Sequence, residues 1–260
     1  MSTSVAVSAS NGVALVALDR PDAFNAFDLE MAERFAGALV ALASDAAVRA
    51  VVISGNGKAF CAGGDLKWAS SFPSGAAAAF HELAARFHLA VTEIRRMPKP
   101  VLAAINGVAA GGGFSLALAC DFRVIAKSAS LRQAYTSSGL CIDGGGTFML
   151  PRLVGLARAL EIAAFDRPIP AEEALAWGLA TQVVEDGTAV QVSMALAETL
   201  AERSAHAFGA AKRLLTDSFD TSFETQLERE RQALSACAAH PDGREGLKAF
   251  AEKRKPLYWR

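Results

Sequence analysis

Several features that would declare a function at once are scarce or missing in these 260 residues. Cysteine is one: Cys61, Cys120, Cys141 and Cys237 lie far apart with no Cys-x-x-Cys pair, which argues against a zinc site or a disulfide framework. Free, buried thiols are the expectation. Charge of one sign is another, since 26 Lys and Arg stand against 27 Asp and Glu, a net charge of -1 with no long block of either. That balance argues against a nucleic-acid partner. The longest apolar stretches, such as residues 101–110, fall short of the roughly 18 to 20 residues needed to cross a bilayer, so no membrane span is expected. The first ten residues lack the charged start and apolar run of a secretory signal, which makes the cytoplasm the expected location. Missing too are a Gly-x-Gly-x-x-Gly fingerprint and a glycine loop followed by Lys-Ser or Lys-Thr, so no nucleotide cofactor is indicated. No internal repeat of fixed period is visible.

What is there is a core. Apolar residues make up 52 % of the chain, and its length suits one large domain or a domain with a small appendage. Apolar runs at 13–18, 50–54, 101–105 and 122–126 read as strands. Between them, Met31, Phe35, Leu39 and Leu42 share one helical face, as do Phe80, Leu83, Phe87, Val91 and Ile94 before Pro98 and Pro100 break the pattern. Strand and helix alternate, which makes the class α/β. Residues 70–79, with Pro73 and Gly75, read as a mobile loop or lid. From residue 189 four helical stretches follow one another, at 190–203, 205–215, 223–236 and 243–253. They suggest a division into a core over 1–188 and a helical subdomain over 189–260. That subdomain ends in the basic run Lys253, Arg254, Lys255 and an apolar tail through Tyr258 and Trp259.

Three glycine-rich turns carry the chemistry. The first is Phe60-Cys61-Ala62-Gly63-Gly64-Asp65-Leu66, after a strand and the turn Gly55-Asn56-Gly57. The second is Asn106-Gly107-Val108-Ala109-Ala110-Gly111-Gly112-Gly113, which runs into an apolar helix and leaves unpaired N–H groups at its start. Two such turns, each offering one N–H, would form an oxyanion hole for a thioester enolate or a tetrahedral adduct; close strand-helix packing is the alternative use of the same glycines. The third, running from Gly139 to Thr147, embeds Asp143 among apolar and glycine neighbours. Burial there would raise its pKa toward a value useful in proton transfer, while a turn aspartate capping the next helix is the other reading.

In their order these segments resemble the crotonase superfamily, the enoyl-CoA hydratases and isomerases. Carrying the resemblance are Arg20-Pro21 with Phe24-Asn25-Ala26, Lys58 through Leu66, Pro100 through Gly107 with Gly111-Gly112-Gly113, and Cys120-Asp121. Gly144-Gly145-Gly146-Thr147, Leu150-Pro151-Arg152-Leu153-Val154-Gly155 and Glu245-Gly246-Leu247-Lys248-Ala249-Phe250 continue it almost to the C-terminus. The resemblance implies a crotonase-type spiral of ββα units, a C-terminal helical trimerisation region, and an acyl-CoA thioester substrate with CoA as part of it. No separate cofactor and no metal are implied, and assembly would be a homotrimer or a dimer of trimers. By position, the N–H groups of Gly64 and Gly112 would hold the thioester oxygen. Asn25, Ala26, Phe27, Ala62, Asp65, Leu66 and Lys67 would flank CoA, with Lys248 or Lys255 near its phosphates.

The sequence also departs from the hydratase pattern. Hydratases of this superfamily use two glutamates to activate water, and those positions fall on Ser115 and Tyr135 here. Neither supplies a base at neutral pH, so hydration is disfavoured. Asp143 sits where dienoyl-CoA isomerases and ring-epoxide isomerases carry an aspartate, and one carboxylate suffices to shift a double bond. Tyr135 would be its hydrogen-bond partner or a wall of the acyl pocket, alongside Phe114 and Phe148. A competing resemblance is to aryl-CoA dehalogenases, in which Asp143 would be a nucleophile and His88 would activate water. On its own, His88 reads as a histidine packed beside the core. An acyl-CoA hydrolase and a catalytically weak acyl-CoA-binding homologue are the remaining alternatives. His81, His206 and His240 carry no pattern.

Overall fold

Asn11 and Gly12 both take positive φ, 49° and 76°. This two-residue turn twists with the strands it joins, and it folds β1 (Val5–Ser10) antiparallel onto β2 (Val13–Leu18). The computed structural model describes residues 4–258, so the opening residues 1–3 and Trp259 of the apolar tail lie outside the described residues. β1 lies within the first ten residues, from which the sequence predicts no strand. It is an edge strand with four exposed residues, so it shows no apolar run.

Three further units follow one plan, a pair of strands and then helix. β3 (Ala50–Gly55) and β4 (Ala59–Cys61) precede α2 (Leu66–Ser70) and α3 (Gly75–Arg96), while α1 (Leu29–Ser44) comes before β3. β5 (Val101–Ile105) and β6 (Val108–Ala110) precede α4 (Gly112–Ala119); β7 (Phe122–Ala126) and β8 (Ser130–Arg132) precede α5 (Gly146–Val154) and α6 (Leu156–Phe165). β9 (Ile169–Pro170), α7 (Ala171–Ala176) and β10 (Gln182–Val184) complete the two sheets. One has the order β1-β2-β3-β5-β7-β10 and the other β4-β6-β8-β9. In each unit the first strand joins the larger sheet and the second the smaller one. Moving one strand along both sheets per unit produces the spiral of ββα units. Pairings are parallel except β1 with β2 and β8 with β9.

The larger sheet is buried on both faces, which explains the continuous apolar runs of its central strands. Val51, Ile53, Val101, Ala103 and Ile105 face α1, α3 and α4 in the main core. Their neighbours Ala50, Val52, Leu102 and Ala104 face the other way, against Ala197 and Ala201 of α8 (Ala189–Ala201). Thus the helical segment drawn from residue 189 opens with a helix that belongs to the core's own layering. α9 (Ala205–Asp217), α10 (Phe223–Ala239) and α11 (Pro241–Ala251) form the rest of that segment.

The expected loop over 70–79 is corrected. α2 ends at Ser70 and α3 begins at Gly75, so the loop shrinks to 71–74 and Ala79 is fully buried. Pro73 and Gly75 stop one helix and start the next, while Ala76 to Ala79 follow their own high helix propensity. Two of the thiols expected to be buried are not, since Cys141 is exposed and Cys237 half-buried. Burial pushes the Cys61 and Cys120 thiols up to about 12, which leaves both neutral and inert. No helix among the described residues is long and apolar enough to cross a membrane.

Candidate active site

The site begins where β4 ends. Phe27 forms an isolated parallel bridge with Gly64: its N–H donates to Gly63 O at 2.7 Å, and its carbonyl accepts from Asp65 N at 2.9 Å. In a parallel bridge the residue between the two bonded positions turns its own N–H away from the partner strand. The Gly64 N–H is that group. Gly112 is the first residue of α4, and its N–H is one of the helix's unpaired donors.

Close approach of the two turns explains the glycines. A Cβ on Gly63, whose φ is 95°, would stand 2.8 Å from Gly112 N and 2.9 Å from Ala110 O. One on Gly112 would stand 3.8 Å from Gly64 N. The close approach therefore requires glycine at position 63, whereas a Cβ at 112 would meet ordinary contacts; Gly64 and Gly112 line the same cavity, of about 490 Å³. Tight packing, one of the two uses the sequence offers for these glycines, holds at Gly63.

Across that cavity stands Asp143, the one carboxylate that lines it among the described residues. The third glycine turn does not bury it: its side chain is 42 % exposed, and Oδ1 lies 2.7 Å from Nε2 of His88. Nor does it cap α5 by its side chain, because Gly145 is the N-cap and only the Asp143 carbonyl serves the turn, accepting from Gly146 N at 3.1 Å. His88 corrects a second expectation. Rather than packing beside the core, it lies on the exposed edge of α3, 51 % exposed, one position past the buried Phe87.

Ser115 and Tyr135 sit close together. Ser115 Oγ donates to Asp143 O at 2.6 Å and lies 3.4 Å from Tyr135 OH. With its own proton so used, Ser115 accepts from the phenol. Burial pushes the Tyr135 pKa up to about 12, outweighing the Ser115 hydrogen bond, so the phenol stays protonated. Phe27, Phe80 and Phe87 add aromatic wall to the cavity, and His81 and Cys141 also line it. Phe114 and Phe148, expected to line the acyl pocket, do not. Phe114 is fully buried in the core, and Phe148 lies under the Arg152 guanidinium, 3.4 Å from its ring centre, in a second cavity.

The residues expected along CoA divide into two sets. Asn25 is fully buried, its side chain accepting from Arg20 N and donating to Asn56 O and Ala59 O, each at 2.9 Å. Its amide therefore holds the wall together and is not free for a ligand. Ala26 is buried with its carbonyl bonded to Arg20, and Phe27 reaches the cavity as an apolar side chain. Asp65 caps α2 by accepting from Lys67 N and Trp68 N, and it pairs with Arg20 at 3.0 Å. Burial alone would raise the Asp65 carboxyl, but the Trp68 amide and the Arg20 guanidinium together hold it below the ordinary carboxylate value. Ala62, Leu66 and Lys67 are exposed beside the Gly64 turn and remain open to a ligand. Lys248 and Lys255 are exposed and paired with Glu252 at 3.9 Å and Glu202 at 2.7 Å.

Comparison with known proteins matches the chain to one family. The sequence model described as enoyl-CoA hydratase/isomerase matches residues 8–260. A 1,2-epoxyphenylacetyl-CoA isomerase of Escherichia coli is 37 % identical over 248 residues, covering 95 % of both chains. A 4-chlorobenzoyl coenzyme A dehalogenase-2 of an Arthrobacter species is 34 % identical over 250 residues, 96 % of this chain and 91 % of that one. The crystal structure of an enoyl-CoA hydratase from Bacillus anthracis superposes with a TM-score of 0.92 at 35 % identity, over 98 % of each chain.

Proposed function

The chain belongs to the enoyl-CoA hydratase/isomerase family of the crotonase superfamily and acts on acyl-CoA; from that premise we propose that it shifts the double bond of an enoyl-CoA, or of a related ring acyl-CoA, by proton transfer. The observation that carries this reading is a single carboxylate, Asp143, lining the same cavity as Gly64 and Gly112. Asp143 takes the acidified proton from C2 of a 3-enoyl thioester. The Gly64 and Gly112 N–H groups hold the oxygen as the dienolate forms, and the same carboxyl returns a proton at C4. No second carboxylate is needed. Hydration would need a second group to activate water, and Ser115 and a protonated Tyr135 do not supply one.

CoA arrives as part of the substrate, so the reaction calls for no resident cofactor. Ala62, Leu66 and Lys67 are the residues placed to meet it. Exposed apolar side chains on α10 and α11, among them Leu234, Leu247 and Phe250, suit the homotrimeric assembly that the superfamily resemblance implies. The test is Asp143→Asn, an isosteric change that removes the base. Turnover of a 3-enoyl-CoA should fall by roughly a hundredfold or more, with CoA-thioester affinity changed less than about twofold. Unchanged turnover would sink the assignment.

One observation favours a second reading. The 2.7 Å pair of His88 with Asp143 places a general base beside a carboxylate. In an aryl-CoA dehalogenase, that carboxylate would attack the ring carbon bearing halide, and the histidine would then activate water to hydrolyse the aryl ester. Halide release from a 4-halobenzoyl-CoA would decide for it.

A further inference from the structure

Two cavities share one stretch of α3 and the turn after Asp143 as walls. The first, of about 490 Å³, holds Asp143 and includes Phe87 in its wall. The second, of about 590 Å³, is lined by Val91, Gly145, Met149 and Leu215 among others. Phe87 and Val91 stand one helical turn apart on α3, so the helix that walls one cavity also walls the other. The segment after Asp143 does the same, with Asp143 on one side and Gly145 on the other.

Between them the packing is tight. A Cβ on Gly144 would stand 2.6 Å from Phe87 Cε1 and 3.1 Å from Ser115 Cβ. The Phe87 ring is held from behind by Phe27, with ring centres 5.2 Å apart, and only 5 % of the residue is exposed. Its position is therefore fixed by neighbours on two sides.

We propose that Phe87 determines acyl-group specificity by closing the floor of the first cavity. The ring limits the acyl group to a compact one, a ring or a short unsaturated chain, and bars unbranched long chains from the second cavity. This rests on the acyl-CoA reading but not on the proton-transfer step.

The test measures binding of two thioesters that cannot isomerise, phenylacetyl-CoA and decanoyl-CoA, by titration calorimetry. The wild-type protein should bind phenylacetyl-CoA at least about tenfold more tightly than decanoyl-CoA. Phe87→Leu opens the floor while keeping an apolar side chain, and decanoyl-CoA should then bind about tenfold more tightly than to the wild type. Adding Met149→Trp to that variant fills the second cavity and should remove the gain. Equal wild-type affinities would overturn the proposal whether or not the variants fold. So would a Phe87→Leu protein with no gain for decanoyl-CoA, or a gain that survives Met149→Trp. Loss of turnover in neither direction bears on these affinities, so the proton-transfer reading stands or falls separately. Failure of both thioesters to bind would overturn the acyl-CoA reading and this inference together.

Discussion

Asp143 has two neighbours that decide how it can act. Ser115 fixes its backbone carbonyl from one side, and His88 holds Oδ1 from the other. Removing His88 frees the carboxylate to rotate away from the substrate carbon. His88→Ala should therefore lower kcat by up to about a hundredfold with KM little changed, since misplacement acts on the reacting geometry. His88→Gln, which keeps a donor at a similar reach, should recover part of the loss. In the dehalogenase reading His88 must activate water, so glutamine would not rescue and an aryl-aspartyl ester would accumulate. At this scale the sequence carries the identity of Asp143 but not its setting. An aspartate flanked by Ile142 and three glycines reads as buried, yet the positive-φ turn at Gly144 and Gly145 carries it to the cavity mouth. The reading of His88 as packed beside the core fails for a related reason: it follows Phe87 of the buried face by one position, and only its contact with Asp143 separates a functional edge residue from a packed one.

At the scale of elements, the two glycine turns matter because each is placed by a strand of the smaller sheet. β4 delivers Gly63 and Gly64, and β6 delivers Gly111 and Gly112, and these two strands pair in parallel. The oxyanion donors are neighbours because their strands are. Gly63→Ala tests this arrangement without replacing either donor residue. Its Cβ would press on Gly112 N at a φ of 95°, so the turns must separate. The change should lower stability by about 1 to 3 kcal/mol in denaturant unfolding and cut turnover by roughly a hundredfold. Normal turnover would show that the two turns are packing devices alone. Elements buried on both faces, β2, β3, β5 and β7, were legible as apolar runs. β4, β6, β8, β9 and β10 were not, because two or three residues are too few to show a period. β1 hid in plain sight: the Asn11-Gly12 pair is a hairpin signal, but the exposed alternation of small residues before it masks the strand.

At the scale of the whole molecule, α9 is tied to the core by a buried cation. Lys212 Nζ donates to Asp121 Oδ2 at 2.7 Å and to the carbonyl of Ile94 at 2.7 Å, and Asp121 Oδ2 also accepts from Val101 N at 2.8 Å. One salt-bridged node thus joins α9, the end of α3 and the start of β5. Burial raises the Asp121 carboxyl, with Lys212 acting against that shift, so the pair depends on its mutual charge. The same α3 then carries Phe87 to the cavity and His88 to Asp143, linking the C-terminal helices to the reacting centre through one element. The order of motifs along the chain makes the family visible from sequence. Which face of α3 looks into the cavity comes only from the packing of α1, α3 and the glycine turns.

The central claim is that a proton moves through Asp143 on an enolate held by Gly64 and Gly112. It is tested most directly by incubating the wild-type protein with a 3-enoyl-CoA in heavy water while following acyl-CoA mass and conjugated enoyl absorbance. The expected result is the 2-enoyl thioester with no added water, deuterium entering carbon only as far as the Asp143 carboxyl exchanges with solvent before it returns its proton. A product that has gained water, or conversion that Asp143→Asn leaves unchanged, would contradict it.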